Sequence, residues 1–171
     1  MTGLRALALA THPGPTVAVT AVAGLLALAA GVPADRAALV TAAVLAGQAS
    51  IGWSNDWLDA DRDRAVARAD KPVVQGTVAP ALLRTLALGS AAAAVVLSLL
   101  LGPLPGLLLL VLVASGWAYN AGLKRTVVSM LPYVTGFGAL PAGVVAAAGS
   151  CLLSIYPSPR DRHRSRMPDS A

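Results

Sequence analysis

Four stretches of this chain lack any charged side chain and are long enough to cross a lipid bilayer. They cover residues 13–34, 37–55, 85–123 and 126–159. A helix needs about 20 apolar residues to span the hydrocarbon core, and only helices and closed barrels satisfy their backbone hydrogen bonds there. The third stretch has room for two helices, because the sequence GPLPG at residues 102–106 interrupts it where a turn would fall.

These stretches predict an all-α polytopic membrane helix bundle with about five transmembrane helices. The predicted spans are residues 14–32, 37–55, 81–101, 105–122 and 127–148. The composition agrees with a location in the lipid bilayer, since 56% of the 171 residues are hydrophobic and only 12% are charged. A soluble domain has roughly 25% charged residues.

The end of the sequence differs from the rest. From residue 150 the composition changes from Ala, Gly, Val and Leu to Ser, Pro and Arg, which is typical of disorder. We therefore divide the chain into a membrane domain, residues 1–149, and a basic disordered tail, residues 150–171. A fifth span would place the arginines of the tail outside, against the positive-inside bias. The hypothesis that follows is a truncated chain with a tail read out of frame.

Basic residues cluster in the loops after the second and fourth predicted spans. The first loop holds Arg62, Arg64, Arg68 and Lys71, and the second holds Lys124 and Arg125. Short cytoplasmic loops carry such an excess, so we expect a multi-pass protein of the cell membrane with both loops in the cytoplasm. The net charge of +5 comes largely from these helix flanks and the tail, so we expect no nucleic-acid partner.

An acidic run follows the second predicted span. On a helix, Asp56, Asp59 and Asp63 fall at positions i, i+3 and i+7 and share a face, with Asn55 beside Asp59. Such a face repels itself unless a cation binds there. Mg²⁺ takes oxygen ligands from one or two carboxylates and completes its shell with water and substrate phosphates. The run therefore predicts a magnesium site at the membrane surface, whereas Asp61 falls on another face and is expected to be solvated.

Two stripes at helical spacing precede the acidic run. Gln48, Gly52 and Asn55 form a polar stripe, and a stripe of small residues allows another helix to approach closely. The small residues are Ala42, Ala46, Ser50 and Ser54. This helix is thus predicted to form the wall of a cavity.

Two alternative interpretations of the acidic run stay open. One is a solvated helix end that forms ion pairs with Arg62 and Arg64. The other is part of a transporter or cation carrier, since intramembrane polar residues also mark transport pathways.

Arg68 and Lys71 lie in a loop that can fold back toward the carboxylates. A guanidinium group holds phosphate oxygens with a bidentate fork, and an ammonium group meets them as a point charge. Acidic and basic groups together suit a diphosphate with bound magnesium. The alternative is that these residues only satisfy the positive-inside rule.

These residues resemble the UbiA superfamily of intramembrane prenyltransferases. Residues 55–63, with Asn and Asp at the defined positions, are similar to the first aspartate-rich motif of that family. Residues 68–76 are similar to the loop that follows the motif, and residues 119–125 to a Tyr-x-x-x-Leu-Lys-Arg element. His12 and Pro13 before the first span are also similar, and the resemblance covers about residues 5–148.

The resemblance implies a nine-helix bundle in which two aspartate-rich motifs face a central cavity and support magnesium on a prenyl diphosphate. It implies Mg²⁺-dependent transfer of a prenyl group to an acceptor that these residues do not identify. The implied metal ligands are Asn55, Asp56, Asp59 and Asp63, of which the three aspartates are catalytic. The implied substrate-binding residues are Arg68, Lys71, Tyr119, Lys124 and Arg125.

The second aspartate-rich motif of the family has no counterpart in this sequence. Beyond Asp70 the acidic residues are Asp161 and Asp169, in a basic segment that does not match. Two functional hypotheses follow. The chain is a prenyltransferase, or it is a non-catalytic membrane protein that retains a metal-diphosphate half-site.

Overall fold

The computed structural model describes residues 3–155, which form helices joined by short loops. The helices are α1 (Gly3–Leu9), α2 (Pro13–Ala29), α3 (Ala34–Leu58), α4 (Ala60–Ala65), α5 (Pro80–Leu100), α6 (Pro103–Ala121) and α7 (Leu131–Ile155), with a 3₁₀ turn at Leu123–Arg125. The five predicted spans correspond to α2, α3, α5, α6 and α7. Neither the short helix α1 nor a break between α3 and α4 was expected from the sequence.

The predicted all-α, multi-pass membrane bundle is confirmed. Within the described residues, α3, α5, α6 and the Leu131–Gly149 part of α7 are each long and apolar enough to cross a membrane. Helices α1 and α2 together provide a fifth span if this pair, bent by 62°, crosses as one unit. Helix α7 continues to Ile155, past the predicted end at residue 148. The remainder of the predicted disordered tail, residues 156–171, lies outside the described part of the chain.

Proline and glycine fix the turn between α5 and α6, as the sequence predicts. Gly102 has a φ of 105°, in the region that favours glycine, and Pro103 begins α6 directly after it. Proline suits the first turn of a helix because the hydrogen bond that its nitrogen lacks is not needed there. Helices α2 and α5 likewise begin with Pro13 and Pro80.

Helix α3 lies at the centre of the bundle, in contact with α2, α5 and α6. Helix α7 packs against both α6 and α2, so that α2, α3, α6 and α7 form a ring. Helix α5 packs outside this ring, against α3 and α6. The interior of the ring is the space available to a ligand.

Glycines allow the helices of the ring to approach closely. A Cβ on Gly47 would come within 2.6 Å of the Val113 side chain of α6, and one on Gly116 would overlap Ile51. The stripe of small residues predicted to serve this purpose is only half correct. Ser50 and Ser54 are fully buried, but Ala46 is only partly buried and Ala42 is exposed.

An apolar cluster lies at the C-terminal end of α3. It joins Ala6 of α1 and Ala10, directly after α1, to Val73 and Val78 of the loop before α5. The indole Nε1 of Trp53 donates a hydrogen bond to the Leu7 carbonyl oxygen, 3.1 Å away. The α1–α2 corner and the loop after α4 are thereby held beside the end of α3.

Candidate functional site

Three aspartates line the buried side of the junction between α3 and α4. Asp56, Asp59 and Asp63 are only 1%, 9% and 6% exposed, whereas the side chain of Asp61 is 99% exposed. The three aspartates stay on one face across the break between the helices, because helical hydrogen bonds continue there. Asp59 N donates to Asn55 O at 3.0 Å, and Asp63 N donates to Asp59 O at 2.8 Å. The shared acidic face and the solvated Asp61 therefore follow the helical spacing of the sequence.

Asp56 is held through one of its two carboxylate oxygens. Its Oδ1 accepts a hydrogen bond from Lys71 Nζ at 2.6 Å and lies 2.9 Å from His12 Nε2. The amide nitrogen of Asn55 lies 3.5 Å from the same oxygen. Among the described residues, none donates a hydrogen bond to Oδ2. This oxygen therefore keeps its capacity to bind a ligand.

Asp59 faces two cations from the loop after α6. Lys124 Nζ donates to Asp59 Oδ2 and also to Asn55 Oδ1, the latter at 3.1 Å. Arg125 Nη2 donates to Asp59 Oδ1 at 3.3 Å. The sequence placed Lys124 and Arg125 in the site by resemblance alone, and the structure brings them into contact with the acidic face across the bundle.

Asp63 carries a buried oxygen without a partner. Within the described residues, its Oδ2 forms no hydrogen bond. A buried polar atom of this kind is costly unless a ligand, water or ion satisfies it. Together with Oδ2 of Asp56, it gives the face buried carboxylate groups with oxygens that receive no hydrogen bond from residues 3–149.

The donor set fits magnesium in chemistry but does not form a closed cage. Carboxylate and amide oxygens are the ligands that Mg²⁺ prefers. Among residues 3–149, however, no three acidic, histidine or cysteine side chains are grouped closely enough to hold a metal by themselves. Mg²⁺ is commonly bound by one or two carboxylates together with substrate phosphates, so Asp56 and Asp63 suit a metal that arrives with its substrate.

A mostly apolar cavity of about 300 Å³ lies inside the helix ring, next to the acidic face. Its wall includes Val19, Leu112 and Phe137, and its polar end includes His12 and Asn55. Gln48 also lines it, as expected for the polar stripe of α3. The cavity can hold an apolar group whose polar end reaches the aspartates.

Aromatic side chains border one side of this cavity. Tyr119 and Tyr133 meet edge to face with ring centroids 5.0 Å apart, and Phe137 stacks on Tyr133 at 6.3 Å. The sequence placed Tyr119 in the site by resemblance, whereas Tyr133 and Phe137 were not identified. Their i, i+4 spacing on one apolar helix is also typical of ordinary packing, so the sequence alone gave no sign of a site.

The guanidinium group of Arg68 bonds to Asp70 and forms no bond with the carboxylates of Asp56, Asp59 or Asp63, although the Arg68 backbone N–H donates to the Asp63 carbonyl oxygen at 2.9 Å. Its Nε and Nη2 donate to the two carboxylate oxygens of Asp70 at 2.9 and 2.8 Å, and half of its side chain is exposed. The hydrogen bonds from Arg68 lower the pKa of Asp70 to about 2. The same bonds raise the pKa of Arg68, so this pair is ionised at neutral pH.

Two further polar residues belong to the site region. Asn120 of α6 donates to Ile51 O at 2.8 Å and to Ser54 Oγ at 2.9 Å, which fixes α6 against α3 directly below the aspartates. His12 reaches Asp56 from the α1–α2 corner. Both residues lie inside segments that resemble the family, His12 beside Pro13 and Asn120 within residues 119–125, but the sequence assigned neither of them a role.

A model of the UbiA prenyltransferase family matches residues 17–159 of the chain. The matched region contains the acidic face, Lys71 and the basic turn after α6. Comparison with curated proteins and with solved structures gives no match. Since the family match covers most of the sequence and the multi-pass helical fold agrees with it, the chain belongs to the UbiA prenyltransferase family.

Proposed function

We propose that this protein is a Mg²⁺-dependent membrane prenyltransferase, which binds a prenyl diphosphate at the acidic face and transfers its prenyl group to an acceptor. The observation that carries the proposal is a single end of the bundle with three aspartates, three cations and an apolar cavity next to them. A prenyl diphosphate has the matching division into a charged head and an apolar chain.

The charges of the site favour a metal that arrives together with its anion. Three aspartates face three cations, Lys71, Lys124 and Arg125, so that their formal charges already balance. A free divalent ion would add uncompensated positive charge, whereas a magnesium–diphosphate complex is anionic. We therefore assign metal binding to Asn55, Asp56, Asp59 and Asp63, with the diphosphate completing the coordination.

The basic residues have the role of holding the diphosphate. Lys71 bonds to Asp56 and Lys124 bonds to Asp59, so each lysine holds a different aspartate of the acidic face. Both ammonium groups carry three donors on a flexible stem, so each can donate to a phosphate oxygen while it still bonds to its carboxylate. Bound Mg²⁺ would act as a Lewis acid that stabilises the charge developing on the departing diphosphate.

The cavity has the role of holding the prenyl chain and excluding water from the reacting carbon. Departure of diphosphate leaves an allylic carbocation, which water would destroy. The rings of Tyr119 and Tyr133 border the cavity, and the face of an aromatic ring attracts a nearby cation. We assign Tyr119 to the part of the cavity where the cation forms.

We place the acidic face on the cytoplasmic side of the cell membrane. The loops after α4 and after α6 both emerge at the end of the bundle where Lys71 and Lys124 meet the aspartates. The positive-inside bias assigns such basic loops to the cytoplasm. The substrate would then enter from the cytoplasmic leaflet.

Replacement of Lys124 by Gln is expected to weaken Mg²⁺-dependent diphosphate binding at least about tenfold, since a hydrogen bond to a charged group contributes about 1.5–3 kcal/mol. Calorimetric titration of the detergent-solubilised protein measures this affinity. Arg64→Gln is the matched control, because it removes the same charge from an exposed pair with Asp61, and its effect should stay within about twofold. Equal losses in both variants would contradict a specific role for Lys124.

Arg68 is proposed to join the site when its bond to Asp70 is released. Asp70→Asn would free the guanidinium and should raise diphosphate affinity about threefold, whereas Arg68→Gln should lower it about threefold, as expected for an exposed charge pair. The same titration measures both variants. If Asp70→Asn has no effect or weakens binding, Arg68 does not contribute to the diphosphate site.

A transfer assay tests the proposed function directly. Purified protein is incubated with Mg²⁺, radiolabelled geranyl, farnesyl or geranylgeranyl diphosphate, and a panel of aromatic acceptors, with chelator added as the control. The proposal predicts a prenylated product that requires Mg²⁺. Binding of prenyl diphosphate without any product would instead support the non-catalytic alternative, a membrane protein with a metal-diphosphate half-site.

A further inference from the structure

His12 occupies a constrained position at the corner between α1 and α2. Its φ is 55°, one of two positive values found among the non-glycine residues of the described chain. Left-handed backbone is uncommon for such residues, and it persists where the surrounding structure enforces it, often at functional sites. Here it accompanies the 62° bend between the two helices. The bend turns the imidazole ring toward α3.

Several contacts fix this corner on α3 independently of the His12 side chain. The Thr11 carbonyl group packs directly over Gly52, where a Cβ would overlap it. Thr16 Oγ1 donates to Thr11 O at 2.7 Å, and Trp53 ties α1 down through the Leu7 carbonyl oxygen. The ring of His12 is therefore placed by the fold and not by its own contact with Asp56.

The neighbouring groups determine whether His12 Nε2 donates or accepts a hydrogen bond. Nε2 lies 2.9 Å from Asp56 Oδ1, but 3.4 Å from both Asn55 Nδ2 and Lys71 Nζ. The last two groups are donors, and the carboxylate is an acceptor. The shortest contact is therefore a hydrogen bond that Nε2–H donates to Asp56.

We propose that His12 is a positioning residue for Asp56. With Lys71 and Asn55 it directs all the described donors to Oδ1, which leaves Oδ2 oriented for a ligand. Donors behind a metal-binding carboxylate fix its orientation, and their loss typically costs 10–100-fold in affinity. This inference rests on the proposed function, because the ligand that Oδ2 would receive is the metal–diphosphate complex.

Three substitutions of His12 distinguish loss of the hydrogen-bond donor to Asp56 from a change in the backbone of the α1–α2 corner. His12→Gln carries an amide nitrogen at the same number of bonds from Cα as Nε2. His12→Asn places its amide nitrogen one bond short, but Asn tolerates the left-handed backbone well. His12→Ala removes the side chain. Thermal unfolding of each variant, followed by tryptophan fluorescence, reports whether the fold is kept.

The probe is Mn²⁺ with inorganic diphosphate, and binding is followed by electron paramagnetic resonance on the full chain in detergent. We expect His12→Ala and His12→Asn to weaken binding at least about tenfold, and His12→Gln to remain within about threefold of the unaltered chain. Binding by the folded Asn variant equal to that of the unaltered chain would overturn the inference, as would an equal loss in the Gln and Ala variants. If the unaltered chain does not bind the probe, the proposed function fails and this inference fails with it.

Discussion

Mg²⁺ is expected to increase the diphosphate affinity of the unaltered chain, and replacement of Asp59 by Asn is expected to make this increase at least about 50-fold smaller. The change removes one charge with little change in shape. Even donors behind a metal ligand are typically worth 10–100-fold in affinity, and Asp59 is proposed as a ligand itself. The loss also leaves Lys124 and Arg125 without their carboxylate, so diphosphate binding in the absence of metal should not weaken. Titrations with and without Mg²⁺ measure both effects.

Asp61→Asn is the matched control for this prediction. It removes the same charge two residues away in sequence, from a side chain that is 99% exposed and paired with Arg64. We expect its Mg²⁺ dependence to stay within about twofold of the unaltered chain. If Asp59→Asn behaves like Asp61→Asn, the buried acidic face has no role in metal binding, and its carboxylates serve only in ion pairs with Lys71, Lys124 and Arg125.

Replacement of Gly52 by Ala is expected to lower both stability and transfer activity. Its Cβ would overlap the backbone of Thr11, which unlike a flexible side chain cannot turn aside. Overpacking of this kind costs about 1–3 kcal/mol. The α1–α2 corner would have to move away from α3, and a displacement of about 1 Å in a site can reduce turnover about 100-fold. Thermal unfolding and the transfer assay measure the two losses.

Gly89 provides the control for Gly52. It lies on the exposed side of α5, and a Cβ there would meet no atom within 4 Å. Gly89→Ala should leave activity unchanged and should not lower the unfolding temperature, because Ala favours a helix over Gly. A Gly52→Ala variant with normal stability and activity would show that the corner does not need to pack against α3.

The helices and the acidic face could be predicted from the sequence because both depend on local patterns. Uncharged stretches of membrane length are sufficient to locate α2, α3, α5, α6 and α7. The spacing of Asp56, Asp59 and Asp63 is sufficient to put them on one face. The cavity wall formed by Gln48, Gly52 and Asn55 also follows from helical periodicity.

The contacts across the bundle could not be predicted in the same way. The pairing of Lys71 with Asp56 joins two elements across a loop whose Val73 is buried in the apolar cluster, and no local pattern encodes this arrangement. The bond between Arg68 and Asp70 competes with the role that the resemblance implies for Arg68. His12 enters the site because the chain bends before α2 and Gly52 admits that bend.

Binding of a prenyl diphosphate to the solubilised chain tests the central claim most directly. Isothermal titration with farnesyl diphosphate is carried out at fixed protein concentration, first with Mg²⁺ and then with chelator. The account predicts saturable binding that is at least about tenfold tighter with Mg²⁺, and little heat when Mg²⁺ is added alone. Binding that is absent, or equally strong with and without Mg²⁺, would contradict it.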